Sequence, residues 1–148
     1  LHRMATAEPH RFHFPSCKTN AALICNLRAI RANCALDNWD GYGAKAVTEA
    51  VILRAETLIR ALPESTPAPD ISAEPDGHVS FDWLPSSTRT FTLSVNKDSY
   101  LAYAWIDGAS RGNVTEVFER GDLPARLLNE LRRITAISPA IQSDIELK

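Results

Sequence analysis

Three polar residues in one segment are the first candidates for catalysis. His78, Ser80 and Asp82 alternate with apolar residues, which is the pattern of side chains on one face of a β-strand. Side chains two residues apart on a strand are separated by about 6.5–7 Å along its axis, whereas a nucleophile and its base must approach to roughly 2.6–3.2 Å. The spacing therefore favours a solvated polar face, and we assign no catalytic residue.

Histidine and cysteine are the residues best suited to hold a metal ion, and both are sparse here. His10 and His13 form an H-x-x-H pair in the predicted leader, but zinc sites normally use three or four protein ligands, and no further ligand falls at a suitable spacing. We predict neither a metal nor a cofactor. The three cysteines include no C-x-x-C pair, which is typical of a reduced, cytoplasmic chain. We expect Cys25 and Cys34, both within an apolar helical pattern, to be buried as small apolar side chains.

A glycine-rich segment combines acidic and aromatic residues. Gly41 and Gly43 allow positive φ angles and close backbone approach. No strand leads into this loop and no G-K-[ST] follows, so it matches neither a P-loop nor a dinucleotide-binding loop. We expect Asp37 and Asp40 to make local turn hydrogen bonds. A small enzyme site at the loop, formed with Asp40 and His78, remains an alternative.

The charge balance argues against a general nucleic-acid or membrane-surface binder, which is usually basic. The formal net charge is −2, and the isoelectric point is about 6.1. Arg126, Arg132 and Arg133 give the last predicted helix some basic character, but Glu130 interrupts them. A nucleic-acid-associated regulator that uses these arginines is a second alternative. We find no signal peptide and no run of the ~18 apolar residues that a transmembrane helix needs.

The aromatic segment 100–106 is apolar on both faces. Alternate residues form two stripes, one of Leu101, Tyr103 and Trp105 and the other of Tyr100, Ala102, Ala104 and Ile106. The neighbouring predicted strands have one polar face each, so one of these stripes must lie beside polar side chains. Exposed aromatic patches often mark partner surfaces. We therefore predict that Leu101, Tyr103 and Trp105 bind a partner, the alternative being that helices cover both sheet faces.

The spacing of apolar residues predicts helices in some segments of the chain and strands in others. Apolar residues recur at three- and four-residue steps over 20–36, over 48–62 after the N-cap Thr48 and before Pro63, and over about 122–135. Between the second and third helices the period changes to two, which predicts short strands near 71–74, 78–83, 90–95, 100–106 and 114–118, with a loop over 108–112. The predicted fold is α+β, an antiparallel β-meander of four to five strands packed against two N-terminal helices and one C-terminal helix.

The 148 residues, 45% of them hydrophobic, are enough for one domain. We predict a flexible leader over residues 1–18, a single α+β domain over 19–136, and a C-terminal tail over 137–148.

Four motifs follow one another in a recognisable order. They are NWDGYGA at 38–44, a Leu62-Pro63 stop, P-x-I-S-x-x-P-D-G-x-V-S-x-x-W at 69–83, and an L-P…L-L helix at 123–128. This order resembles that of a widespread family of small bacterial and phage proteins of unknown function, over roughly residues 37–134. Lys45-Ala46 stands where that family has a proline before the capping serine or threonine. The resemblance implies no established activity, but its members are often encoded beside another small protein, which implies a partner.

The NWDGYGA loop is predicted to be structural. Its residues Trp39, Asp40, Gly41, Tyr42 and Gly43 form the loop motif, and we expect both aromatic side chains to fold back onto the sheet, with a ligand pocket beneath the loop as the alternative. The preferred function is a non-enzymatic protein-interaction module, an accessory or antitoxin-like member of a two-gene pair. It would bind a protein partner or itself through a sheet face.

Overall fold

Six antiparallel strands form one sheet, in which neighbouring strands are also consecutive in the sequence. The computed structural model describes residues 12–14, 20–119 and 121–136. The elements are β1 (Phe12–Phe14), α1 (Asn20–Asn33), α2 (Glu49–Ala61), β2 (Asp70–Ala73), β3 (Val79–Ser86), β4 (Arg89–Val95), β5 (Tyr100–Asp107), β6 (Ser110–Val117) and α3 (Ala125–Thr135). The α+β class with an antiparallel sheet is confirmed.

Helix α2 begins and ends at the residues that the sequence marks. Thr48 is its N-cap and accepts a hydrogen bond from the Val51 amide, which satisfies one of the free amides at a helix start. The Leu62 amide donates to the last-turn carbonyls, and Pro63 cannot continue the helix. The first helix, α1, ends at Asn33, three residues before the predicted end.

The helices pack against one face of the sheet, here called the inner face. The inner-face residues lie in register across the sheet, as in the row Ile71, Phe81, Leu93 and Tyr103. In β4 they alternate with polar residues. Helix α3 contributes Leu127, Leu131 and Ile134 to the same buried cluster. One continuous core therefore joins the sheet to the helices, and the opposite, outer face carries the other set of alternating side chains.

Two predicted boundaries are corrected. The residues Phe12–Phe14 lie in the predicted leader, yet they form β1 and pair with β2, while the rest of residues 1–18 and the predicted tail lie outside the described residues. The loop predicted over 108–112 is a two-residue turn, because Asp107 pairs with Ser110 and β6 starts there.

Candidate functional site

Asp40 organises the NWDGYGA loop. Its Oδ1 accepts hydrogen bonds from the amides of Tyr42 at 2.8 Å and Ala44 at 3.1 Å, and Asp37 accepts from the Ala46 amide at 2.9 Å. These bonds confirm the prediction of local turn bonding. They stabilise a turn in which Gly41 has a φ of 79° and Gly43 a φ of 88°. Residues that carry a Cβ rarely adopt such values.

The two aromatic residues of the loop have different environments. Trp39 packs against the core and donates from Nε1 to the Lys45 carbonyl at 2.7 Å. Tyr42 is 70% exposed, so the prediction that it folds onto the sheet is wrong. The Lys45 amide donates to the Pro75 carbonyl at 2.7 Å, and this bond ties the end of the loop to the β2–β3 turn.

The two described cysteines also differ. Cys34 is fully buried, and burial, followed by the negative charge of Asp40, raises the pKa of its thiol to about 11. A thiol with so high a pKa is a poor nucleophile near neutral pH. Cys25 is exposed, so the expectation that it is buried is wrong, because it lies on the outward side of α1. The remaining cysteine, Cys17, lies outside the described residues.

His78 lies in a depression of about 250 Å³ that is lined by the β2–β3 turn, the β4–β5 turn, residues 45–46 and the start of α2. The depression does not include Asp40, so the structure does not bring these two residues into one pocket. Asp76 Oδ2 lies 3.2 Å and Ser94 Oγ 3.4 Å from the same atom, His78 Nδ1. In a catalytic triad the carboxylate and the hydroxyl bond to different ring nitrogens. The arrangement therefore lacks the geometry of a nucleophilic triad.

The other residues considered for chemistry have structural contacts. Ser80 is buried and donates to Asp82 at 3.4 Å. His10 lies outside the described residues, and within residues 12–14, 20–119 and 121–136 no three His, Cys, Asp or Glu residues come close enough to hold a metal ion.

No helix in that part of the chain is long and apolar enough to cross a membrane.

The arginines of α3 do not form an open basic stripe. Arg133 binds Glu130 at 2.6 Å and also pairs with Asp107. Arg132 donates to Asn129 at 3.4 Å. Since Arg133 is engaged by two carboxylates, the basic surface that this helix presents is smaller than the sequence suggests.

The predicted binding residues Leu101, Tyr103 and Trp105 lie in the core. Their exposed fractions are 0%, 1% and 8%, so the prediction that they form an exposed partner surface is wrong. The physical reason is the register of β5, which places them opposite Val95, Leu93 and Phe91 on the inner face. The Tyr103 hydroxyl donates a hydrogen bond to Glu116 on β6. Burial, together with this bond, raises the pKa of Tyr103.

The other stripe of β5 is the exposed one. Tyr100 is 51% exposed and lies opposite Val117, which is 52% exposed. Further along β5, Ala102 and Ala104 are also exposed. Both alanines line a shallow depression of about 230 Å³ on the outer face of β4, β5 and β6.

The exposed area does not extend over the whole outer face. Ser72 and Ser80 belong to the same face but are buried. The open part is therefore the outer surface of β5 and β6 with the adjoining side of β4. The exposed stripe could have been identified from the sequence by pairing Val95 with Leu101 across the β4–β5 turn, which places Leu101, Tyr103 and Trp105 on the same face as the apolar residues of β4.

Comparison of the chain with models of known families, with curated proteins and with solved structures found no similar protein. The family resemblance of the NWDGYGA segment therefore remains a prediction.

Proposed function

We propose that this protein is a non-enzymatic protein-interaction module that binds a partner protein through the outer face of β5 and β6. The observation that carries the proposal is the exposure of Tyr100, Ala102 and Ala104 on a strand whose opposite face is fully buried. A strand that is apolar on both faces and covered on only one exposes apolar surface to water, and such surface is stabilised by a partner.

The chemistry of this surface suits a protein partner. Tyr100 and Val117 form an apolar pair at one end, and tyrosine is among the residues that contribute most at interfaces. Ala102 and Ala104 have short side chains, so a partner can approach the sheet closely there. Thr92 and Ser94 border the patch with hydroxyl groups, as a polar rim does around an apolar interface.

The partner that we propose is the small protein encoded by the adjacent gene. This choice rests on the resemblance of the NWDGYGA, Pro69–Trp83 and Leu123–Leu128 motifs to a family whose members occur in such pairs. In this arrangement the protein is an accessory or antitoxin-like subunit, and the outer face is the docking surface.

The test is size-exclusion chromatography with light scattering on the chain alone and mixed with the adjacent gene product. We expect a heteromeric complex with the wild-type chain and loss of that complex with Ala104→Arg, which places a long charged side chain in the centre of the patch. Ser87→Arg, in the exposed β3–β4 turn, is the matched control and should bind normally. A chain that does not bind the gene product, or that binds it equally well with Ala104→Arg, contradicts the proposal.

A further inference from the structure

The last strand of the sheet, β6, has one paired and one unpaired side. All eight of its residues pair with β5 without a bulge, and among the described residues no strand lies on its other side. The opposite edge of the sheet, β1, has only three residues. Short strands, prolines and bulges are common ways to prevent edge-to-edge pairing, and β6 has none of them.

The backbone groups on the free side of β6 can be identified from its pairing. The Phe118 amide donates to the Ser99 carbonyl at 2.6 Å, and hydrogen-bonded positions alternate along an antiparallel strand. The residues whose amide and carbonyl groups point away from β5 are therefore Arg111, Asn113, Thr115 and Val117. All four residues are exposed, and among the described residues no backbone hydrogen bond outside the sheet involves them. Their outward backbone groups are therefore open to a further strand.

We infer that β6 is a self-association edge, at which a second copy of this chain adds its own β6 in antiparallel orientation and joins the two sheets. A two-fold axis through Val114 would place Asn113 opposite Thr115 and Arg111 opposite Val117 of the second copy. In this register the outward amide and carbonyl groups of one β6 form hydrogen bonds with those of the β6 of the second copy. The contact is closed by symmetry, since each copy contributes the same strand.

Charge complementarity favours a second copy over an unrelated extended segment. Arg111 lies near the start of β6, Glu119 lies two residues beyond its end, and both are exposed. Antiparallel pairing brings Arg111 of one copy diagonally next to Glu119 of the other, and diagonal neighbours are within reach of long side chains. The two-fold axis produces this attraction twice. No like charges face each other, because Glu116 lies opposite Gly112.

The inference goes beyond the proposed function, since it concerns the edge of the sheet and a second copy rather than the face and a different protein. The first experiment is sedimentation equilibrium over a series of protein concentrations, with a monomer–dimer equilibrium as the expected result. A chain that stays monomeric throughout overturns the inference.

Amide exchange measured by NMR locates the contact. At concentrations where the dimer forms, the amides of Arg111, Asn113, Thr115 and Val117 should exchange more slowly. Those of Gly112, Val114 and Glu116 should be protected already in the monomer, because they bond to β5. Unchanged exchange at the four outward amides in the dimer places the contact elsewhere and overturns the inference.

Charge exchange provides a test that does not disturb the backbone. Arg111→Glu should weaken the dimer roughly tenfold, as expected for two exposed ion pairs replaced by repulsion, and Arg111→Glu with Glu119→Arg should restore it. Lys97→Glu, an equal charge change in the exposed β4–β5 turn, is the control and should have little effect. An equal effect of Lys97→Glu, or no rescue by the double variant, overturns the pairing.

The edge and the face can be tested separately. Asn113→Pro removes an outward amide and leaves the pairing with β5 intact, so it should abolish self-association. Ala104→Arg should leave self-association within a fewfold of the wild type. A dimer that is lost with Ala104→Arg but kept with Asn113→Pro would assign self-association to the face and overturn the edge.

Discussion

Asp40 shows how one side chain determines the conformation of the NWDGYGA loop. Its carboxylate accepts from two loop amides, and its second oxygen is buried without a hydrogen-bond partner among the described residues. We expect Asp40→Ala to lower the free energy of unfolding by about 1–3 kcal/mol, because it leaves both amides without their acceptor. Chemical denaturation monitored by circular dichroism measures the change.

Asp37 provides the comparison, because it is exposed and accepts from one loop amide. Asp37→Ala should therefore cost less than Asp40→Ala. Asp40→Asn keeps an acceptor oxygen and should be milder than Asp40→Ala. Equal losses for all three variants would show that the carboxylate bonds do not hold the loop.

The burial of Cys34 makes the stability of the fold depend on pH. Its thiol has a pKa raised from 9.0 to about 11, first by burial and then by Asp40. Because the folded state disfavours the thiolate, this contribution to stability is complete below pH 9 and is lost as the pH rises toward about 11. We expect the stability of Cys34→Ala to fall less steeply than that of the wild type between pH 9 and 11 in denaturation curves.

Thiol labelling under native conditions separates the two described cysteines. Cys25 is exposed and Cys34 is buried, so an alkylating reagent should modify Cys25 first and Cys34 only on unfolding, as mass spectrometry of the digested protein can show. Cys25→Ala is the control for the pH experiment and should leave the alkaline slope unchanged. Rapid native labelling of Cys34 would contradict its burial.

At the scale of the elements, helix α3 is attached to the sheet through its C-terminus. Arg89 on β4 donates to the carbonyls of Arg133 and of Ala136, the latter at 3.2 Å. A cation at the carbonyl end of a helix is favoured by the helix dipole and satisfies free acceptors. We expect Arg89→Ala to lower the free energy of unfolding by about 1–2 kcal/mol and to speed amide exchange in the last turn of α3.

Arg132 is the matched control on the same helix, since it is exposed and its side chain donates to Asn129 on the helix itself rather than to the sheet. Arg132→Ala should leave exchange in the last turn close to that of the wild type. An unchanged exchange pattern in Arg89→Ala would show that the helix end is held by its apolar contacts alone.

The sequence predicts well those elements whose signals are local. Helix α2 carries its own N-cap, Thr48, and its own stop, Pro63, and both act as expected. The alternation in β3 and β4 likewise needs no distant information, because one face of each strand is polar. The class of the fold follows from these segments.

The predictions that were wrong concern features that depend on contacts between residues distant in the sequence. Gly112 is typical of a loop, but it lies inside β6, where it pairs with Trp105. A Cβ at this position would come within 2.5 Å of the Trp105 ring, so this close approach requires glycine. The burial of Tyr103 depends on the register of β5 against β4. Since both stripes of β5 are apolar, composition alone cannot tell which one faces the helices, and the predicted site was placed on the wrong stripe.

At the scale of the whole molecule, one core joins the three helices to strands β2 to β5. The buried cluster includes residues of α1, α2 and α3 and of strands β2 to β5, and aromatic rings from Phe81 to Trp105 contact one another along the inner face. The helices cover the inner face of the sheet, and the outer surface of β5 and β6 stays exposed.

A single core predicts that the described domain unfolds in one cooperative transition. Leu127 of α3 is fully buried, and Leu127→Ala should cost about 2–5 kcal/mol through lost contacts and the cavity left behind. Because α3 packs on the same core as the sheet, helical circular dichroism and tryptophan fluorescence should shift together to lower denaturant. Leu36→Ala, at a position 77% exposed, should leave both midpoints unchanged. If Leu127→Ala moves the circular dichroism transition and not the fluorescence of the buried Trp83 and Trp105, then α3 unfolds independently, and the sheet is stable without it.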